Sequence, residues 1–335
     1  MTTALFPYQL YHRNELISQL NILGSLHIPF LFIIDFEGKN GYIIKSDELD
    51  DHFVKFDFSG ENILKKENNN YLGKKIEWQI MPVSFEEYHS KFQFVMDQIH
   101  KGNTYLVNLT QPTEIKTNVT LLDLYELGTS KYKLWLKDKF TVFSPEIFIK
   151  INNGKISTFP MKGTINASVT DAEKIILNDP KENAEHATIV DLLRNDLSIK
   201  AINVEVKRHR YIDKLRTNKN ILLQVSSEIT GILPENYHKM LGDILFSMLP
   251  AGSISGAPKN KTMEIIHQIE GYKRGFYTGI CGWFDGNSLD SAVMIRYIEQ
   301  KGNKLIFKSG GGITFQSDSK KEYQELIEKV YAPIY

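Results

Sequence analysis

The chain has 335 residues, with 40 Lys and Arg balancing 40 Asp and Glu, and it is 42% hydrophobic and 11% aromatic. That apolar content fills a large core and excludes an intrinsically disordered chain, while the charge balance excludes a broad nucleic-acid or anionic-membrane surface. No apolar stretch approaches the ~20 residues of a membrane helix, and MTTALFPYQLYHRNEL lacks the pattern of a signal peptide. The single cysteine, Cys281, leaves no internal disulfide, which together with the absent leader predicts a cytoplasmic protein.

In chain order, FLFIIDFEGKNGYIIK at 30–45 predicts two strands around a Gly/Asn turn. The polar KKENNNYLGKK at 65–75 predicts a loop or linker. It sets a short β-rich portion, 1–75, packed on a larger catalytic part, 76–335, the whole forming one unit. Ser84 followed by Glu87 predicts a capped helix that stops at Gly102. TYLVNLTQPTEI predicts a strand, LLDLYELGTSKYKLWL a helix, and FTVFSPEIFIKI and KISTFPM further strands. A long helix is expected over about Thr170 to Leu197. Strands follow at 201–213 and 221–231, then helices at 236–248 and 258–269. GFYTGICGWFD, LDSAVMIRYIEQ and KLIFKSGGGITF predict three strands, and 318–331 a closing helix. Strands outnumber helices and meet through short polar turns, which predicts an α+β fold with mainly antiparallel sheet.

Some residues stand out from this scaffold. STFPMKGTINAS (157–168) places Lys162 between a strand and a Gly-Thr turn, where lysine ordinarily points to solvent. Glu182 and Glu185, and again Glu322 and Glu325, lie three apart on predicted helices, so each pair shares a face. Two such faces either enclose one hard divalent cation such as Mg²⁺ or are simply solvated. LPAGSISGAPKNKTMEII is a small-residue loop opening a helix at Pro258, whose backbone N–H groups can receive a carboxylate or phosphate. KSGGGIT puts a second glycine run between a strand and a helix, where bare backbone can approach a ligand. Arg194 and Asp196 in DLLRNDLS predict a structural ion pair or cap. Arg296, amid Val, Met and Ile, needs a partner, and a ligand carboxylate would serve.

Taken in order, SPEIF, PMKGT, KENAEH, DLLRNDLS, PAGSISGAPK, YTGICGWF, IRY, GGGIT and EYQE…K resemble the chorismate-utilising enzymes over roughly residues 80–335. The resemblance implies two large antiparallel β-sheets packed as a core with helices outside, and a chorismate site between them. A lysine before the Gly-Thr is similar to the aminodeoxychorismate synthase component I branch, whose product leads to p-aminobenzoate and folate. There the Lys162 amine would attack C2 of chorismate as the C4 hydroxyl leaves, and ammonia would then add at C4 and expel the lysine. The resemblance further implies Glu146 as general acid and Thr164 as a hydrogen-bonding partner of the ring substituents. It implies Glu185 and Glu325 as Mg²⁺ ligands, with Glu182 and Glu322 completing the shell. Ser253, Tyr277, Arg296 and Lys329, with backbone of Gly311 and Gly312, would hold the substrate. Leu106 in TYLVNL departs from the lysine that isochorismate and salicylate synthases need, and argues against both. His186 is similar to the histidine of anthranilate synthases, so aromatisation stays an alternative, as does a non-catalytic chorismate-binding partner. The tryptophan-binding motif of feedback-inhibited relatives is not found in this sequence. Cys281, with small apolar neighbours, predicts an inert thiol. Nitrogen would therefore come as ammonia from a separate glutamine amidotransferase subunit.

Overall fold

Phe30–Ile34 is apolar at every position, which suits a strand covered on both faces. In the computed structural model, which describes residues 6–58, 76–216 and 221–331, this strand is covered in that way. Phe30, Phe32 and Ile34 pack with Leu16 and Leu20 of the Arg13–Ser25 helix and with Leu241 and Leu245 of the Leu241–Ser247 helix. Leu31 and Ile33, on the other face, meet Phe56, Leu134 and Phe140 of a second sheet. Side chains alternate across a strand, so one pentapeptide serves two cores. Among the described residues ten strands form the first sheet and eight the second. Every pairing is antiparallel. The expected α+β fold of two large antiparallel sheets with helices outside is the one observed. The predicted hairpin at 30–45 contributes Phe30–Ile34 and Asn40–Lys45 to the first sheet, beside Ile280–Phe284. No described helix is long and apolar enough to cross a membrane.

The chain passes between the sheets at two places that define the site. FTVFSPEIFIKI reads as one strand but is two: Phe140–Ser144 lies in the eight-stranded sheet and Ile147–Asn152 in the ten-stranded one. Pro145 cannot donate a ladder hydrogen bond, so the strand stops there. LDSAVMIRYIEQ likewise divides into Leu289–Val293 of the first sheet and Tyr297–Lys301 of the second. Arg296, at the second crossing, has φ 50°. The two crossings are laced together, Val293 N–H donating to Glu146 O at 3.1 Å and Phe143 N–H to Arg296 O at 3.2 Å. Arg296 therefore sits between strands, which corrects its expected place within one.

Other elements differ from expectation for local reasons. The helix expected over 170–197 is broken into Ala172–Asn178 and Pro180–Ser198. Pro180 forces the residue before it out of the helical region, and Asp179 caps the second helix by accepting from Glu182 N–H at 3.0 Å. LLDLYELGTSKYKLWL is helical only over Leu121–Leu127, and Tyr132–Leu136 is a strand. The helix predicted from Pro258 starts at Lys259, with Pro258 as its N-cap. Within the 236–248 segment a 3₁₀ turn, Tyr237–Met240, precedes the Leu241–Ser247 helix. The glycines of KSGGGIT lie inside the strand predicted from KLIFKSGGGITF, which spans Lys304–Ile313, and not between it and the next helix. Arg194 is exposed and pairs with Asp191, whereas buried Asp196 pairs with Lys259 at 2.7 Å. Ser84 caps the Phe85–His100 helix as expected, accepting from Glu87 N–H at 3.2 Å. The predicted 65–75 loop lies outside the described residues.

Candidate active site

A cavity of about 550 Å³ opens where the two crossings meet. Glu146 and Arg296 enter it from the crossings, and Tyr277 from the segment that precedes Ile280–Phe284. Lys162 and Thr164 come from the strand Met161–Asn166, whose register against Ile221–Ile232 slips by one residue at Gly163. Gly163 has φ +71°, and a Cβ there would lie 3.1 Å from Glu182 Oε2. Such a bulge kinks its strand and re-aims the flanking side chains. The Pro180–Ser198 helix brings Glu182 and Glu185, and Ser319–Glu328 brings Glu322 and Glu325. Each pair lies three residues apart, so helical geometry turns both carboxylates to one side.

The glycine strand completes the wall. Gly311 and Gly312 pair with Leu109 and Asn108. A Cβ on Gly312 would lie 3.0 Å from Leu106 Cδ1 and 3.5 Å from Lys162 Nζ. One on Gly311 would lie 3.4 Å from Glu322 Oε2 and 4.0 Å from Lys329 Nζ. Bare backbone thus brings the lysine and glutamate heads close to the strand.

Charges are arranged in pairs. Lys162 Nζ stands 3.3 Å from Glu185 Oε2, and Lys329 Nζ is 2.7 Å from Glu325 Oε1. Ser317 donates to Glu322 at 2.7 Å. Glu146 accepts a short hydrogen bond from Ser253, whose segment Gly252–Ser255 is a single helical turn. Burial pushes the Glu146 carboxyl above the usual carboxylate range, although Ser253, Lys162 and Lys329 oppose the shift. The shift makes the proton easier to hold than on a free carboxyl, which suits a proton donor. Burial also pushes the Tyr277 phenol up, so it remains a hydrogen-bond donor. The four glutamates offer only hard oxygen donors, a set that fits Mg²⁺ better than a softer metal.

Of the residues singled out from the sequence, Glu146, Lys162, Thr164, Glu182, Glu185, Ser253, Tyr277, Arg296, Gly311, Gly312, Glu322, Glu325 and Lys329 all line this cavity. His186 does not. It is buried behind the wall, with Nε2 2.7 Å from Ser227 Oγ and Nδ1 without a hydrogen-bond partner. The N-terminus of the Lys259–Ile269 helix does not line it either; Ser253 and Ile254 represent that stretch. Asn108, Gln224, Thr278, Lys308 and Glu328 line the cavity and were missed. For Lys308 a signal existed, a lysine inside the apolar KLIFK like the arginine inside AVMIRYI. A more open cavity of about 770 Å³, beside Lys55, Trp135 and Lys137, holds none of these residues.

His186 yields a stability prediction. Burial first, then Arg210 and His209, lower its pKa to about 4. A pKa depressed on folding contributes stability above the unfolded value of about 6.5 that is lost as pH falls toward 4, by up to about 1.4 kcal/mol per pH unit. Thermal midpoints between pH 7 and 4.5 should therefore fall more steeply for the wild type than for His186→Asn. Parallel curves would count against it.

Residues 37–335 match the family described as chorismate binding enzyme. The chain belongs to that family. An "uncharacterized PabA-like protein" of Haemophilus influenzae is 49% identical over 96% of this chain and 97% of its own. Anthranilate synthase component 1 of Acetivibrio thermocellus is 34% identical over 78% of the chain, and aminodeoxychorismate synthase component 1 of Escherichia coli 32% over 76%. The matches span 55% and 58% of those two longer proteins. The structure of anthranilate synthase component I from Streptococcus pneumoniae superposes with a TM-score of 0.67 at 27% identity, covering 76% of this chain and 59% of that one. Menaquinone-specific isochorismate synthase of Escherichia coli reaches 0.72 at 15% identity, over 96% and 82%, a likeness of fold.

Proposed function

We propose that this enzyme aminates chorismate at C4 to give 4-amino-4-deoxychorismate, with ammonia delivered by a separate glutamine amidotransferase subunit. The observation that carries the reading is Lys162, held on the cavity wall by the Gly163 bulge, 3.3 Å from Glu185 and close against the glycine strand. In the proposed first step the neutral Lys162 amine forms a bond to C2, the ring double bond shifts, and the C4 hydroxyl departs as water with the Glu146 proton. Ammonia then bonds to C4, the double bond shifts back, and the C2–N bond breaks. The incoming nitrogen occupies the place of the departed hydroxyl at C4, the proton shed by the new ammonium returns to Glu146, and the net change is replacement of hydroxyl by amine with release of water. Glu182, Glu185, Glu322 and Glu325 would hold Mg²⁺, which when bound offsets the negative charge of a substrate carboxylate. Arg296 and Lys329 would hold carboxylates, and Tyr277 would donate to one. Cys281, fully buried and with its thiol pushed up by burial, supplies no glutaminase nucleophile.

Anthranilate formation is the second reading, favoured by the anthranilate synthase relative and by His186 close behind the wall. One chromatographic experiment separates the readings: purified chain, chorismate and Mg²⁺ with either glutamine or an ammonium salt at alkaline pH. Aminodeoxychorismate is expected with ammonium, little turnover with glutamine, and loss of turnover in EDTA. Anthranilate with pyruvate would move the assignment to the second reading. Full activity in EDTA would remove the metal from it, and robust glutamine use by the chain alone would remove the partner.

A further inference from the structure

Arg274 lies outside every motif singled out in the sequence, and its side chain does not line the cavity. It is 3% exposed, as is Glu270, and the two form a bidentate pair with N···O distances of 2.8 and 2.6 Å. Phe36 covers the guanidinium face at 4.4 Å. The remaining donors leave the pair in three directions. One reaches Ile254 O at 2.9 Å, one Thr278 Oγ1 at 3.4 Å, and one Asn108 O at 2.6 Å. Each acceptor belongs to a different wall of the cavity: Ile254 follows Ser253, Thr278 follows Tyr277, and Asn108 faces Gly312 across the strand pair. Glu270 adds a fourth tie, accepting from Thr110 N–H at 2.9 Å and from Thr110 Oγ1 at 2.7 Å.

A buried ion pair is weak evidence for stability, because desolvation cancels much of its attraction and apolar replacements are often neutral. Its value here is geometric. The guanidinium is a rigid planar fork, and no other side chain donates in three directions while held by a carboxylate. We propose that Arg274, clamped by Glu270, is a positioning residue that sets the Ser253 turn, the Tyr277 segment and the Asn108 strand at fixed distances around the substrate. Through Ser253 it reaches Glu146, the proposed acid, since Ser253 donates to that carboxyl. The inference rests on reading this cavity as the chorismate site.

Two variants test it. Arg274→Lys keeps the charge and the Glu270 pair but cannot span three acceptors. Arg274→Met combined with Glu270→Leu removes both charges together, so neither is left buried alone. Hydrogen exchange of peptides covering 251–257 and 275–279 is expected to speed up in both variants, with thermal midpoints near the wild-type value. With chorismate and ammonium, kcat is expected to fall about 10²-fold, the scale of a misplaced catalytic group, while KM changes only about threefold because Arg296 and Lys329 remain. Unchanged exchange in folded Arg274→Lys, or a rise in KM with kcat intact, would overturn the proposal. If the double variant does not fold, Arg274→Lys decides alone. The exchange readout needs no substrate. A wild-type chain that ignores chorismate would therefore sink the functional reading, while the clamp would still be judged by exchange.

Discussion

Lys162→Ala is expected to lower chorismate amination by about 10³-fold or more, the scale seen when a covalent nucleophile is removed. The fold should survive, because the Lys162 side chain is 24% exposed on a cavity wall and its truncation opens no hole in the core. Arg296, Tyr277 and Lys329 stay in place, so chorismate binding should weaken far less than turnover falls. Lys162→Arg should not restore activity, since a guanidinium cannot give up the proton that a nucleophilic amine must lose. Rapid-quench intact-mass measurement on the wild type, with ammonia withheld, should reveal a protein adduct that Lys162→Ala lacks. Near wild-type turnover by Lys162→Ala, with no adduct ever trapped on the native enzyme, would discard the covalent route.

Glu146→Gln is the second large effect, with two signs. Loss of the proton donor should reduce kcat by about 10²–10⁴-fold, the usual contribution of general acid catalysis. Stability should move the other way. Burial raises the Glu146 pKa, so the folded protein binds this proton more tightly than the unfolded chain does. Its favourable contribution is therefore present below the unfolded carboxylate pKa and lost as pH rises through the folded one. At neutral pH the native carboxyl opposes folding, and a neutral amide should stabilise the protein, a common exchange of stability for activity. Thermal midpoints should show Glu146→Gln above the wild type at pH 7, with the gap narrowing toward pH 4. A variant less stable than wild type at pH 7 would contradict the assignment of Glu146 as a partly buried acid whose pKa is raised by folding.

Much of this was legible in the linear chain, for identifiable reasons. Glu182 with Glu185, and Glu322 with Glu325, share faces because helical periodicity alone dictates it. FLFIIDFEGKNGYIIK announced two strands around a turn, and Ser84 announced a helix start. Lys162 and Arg296 were conspicuous through their company, a cation beside apolar or turn residues. Lys308 carried the same mark unread; it is buried, donates to Glu299 at 2.9 Å, and has its pKa pushed down by burial. Pro180 also marked the break in a helix that hydrophobic spacing joined.

Sequence by itself determined the α+β class, the paired carboxylates and the lysine before Gly163, because local propensity, periodicity and residue chemistry act within a few positions. Tertiary structure alone decided where those pieces meet. SPEIF and VMIRY look like uninterrupted strands, and only the packing of two sheets shows that each crosses from one sheet to the other at Glu146 and at Arg296. His186 sits one position from Glu185 yet falls behind the wall, because neighbouring helical residues point about 100° apart and only one can face the cavity. Arg274 shows the same dependence most fully. Its meaning lies in Ile254, Thr278 and Asn108, of which Asn108 is 166 residues away, and contacts between such distant positions exist only once the chain has folded.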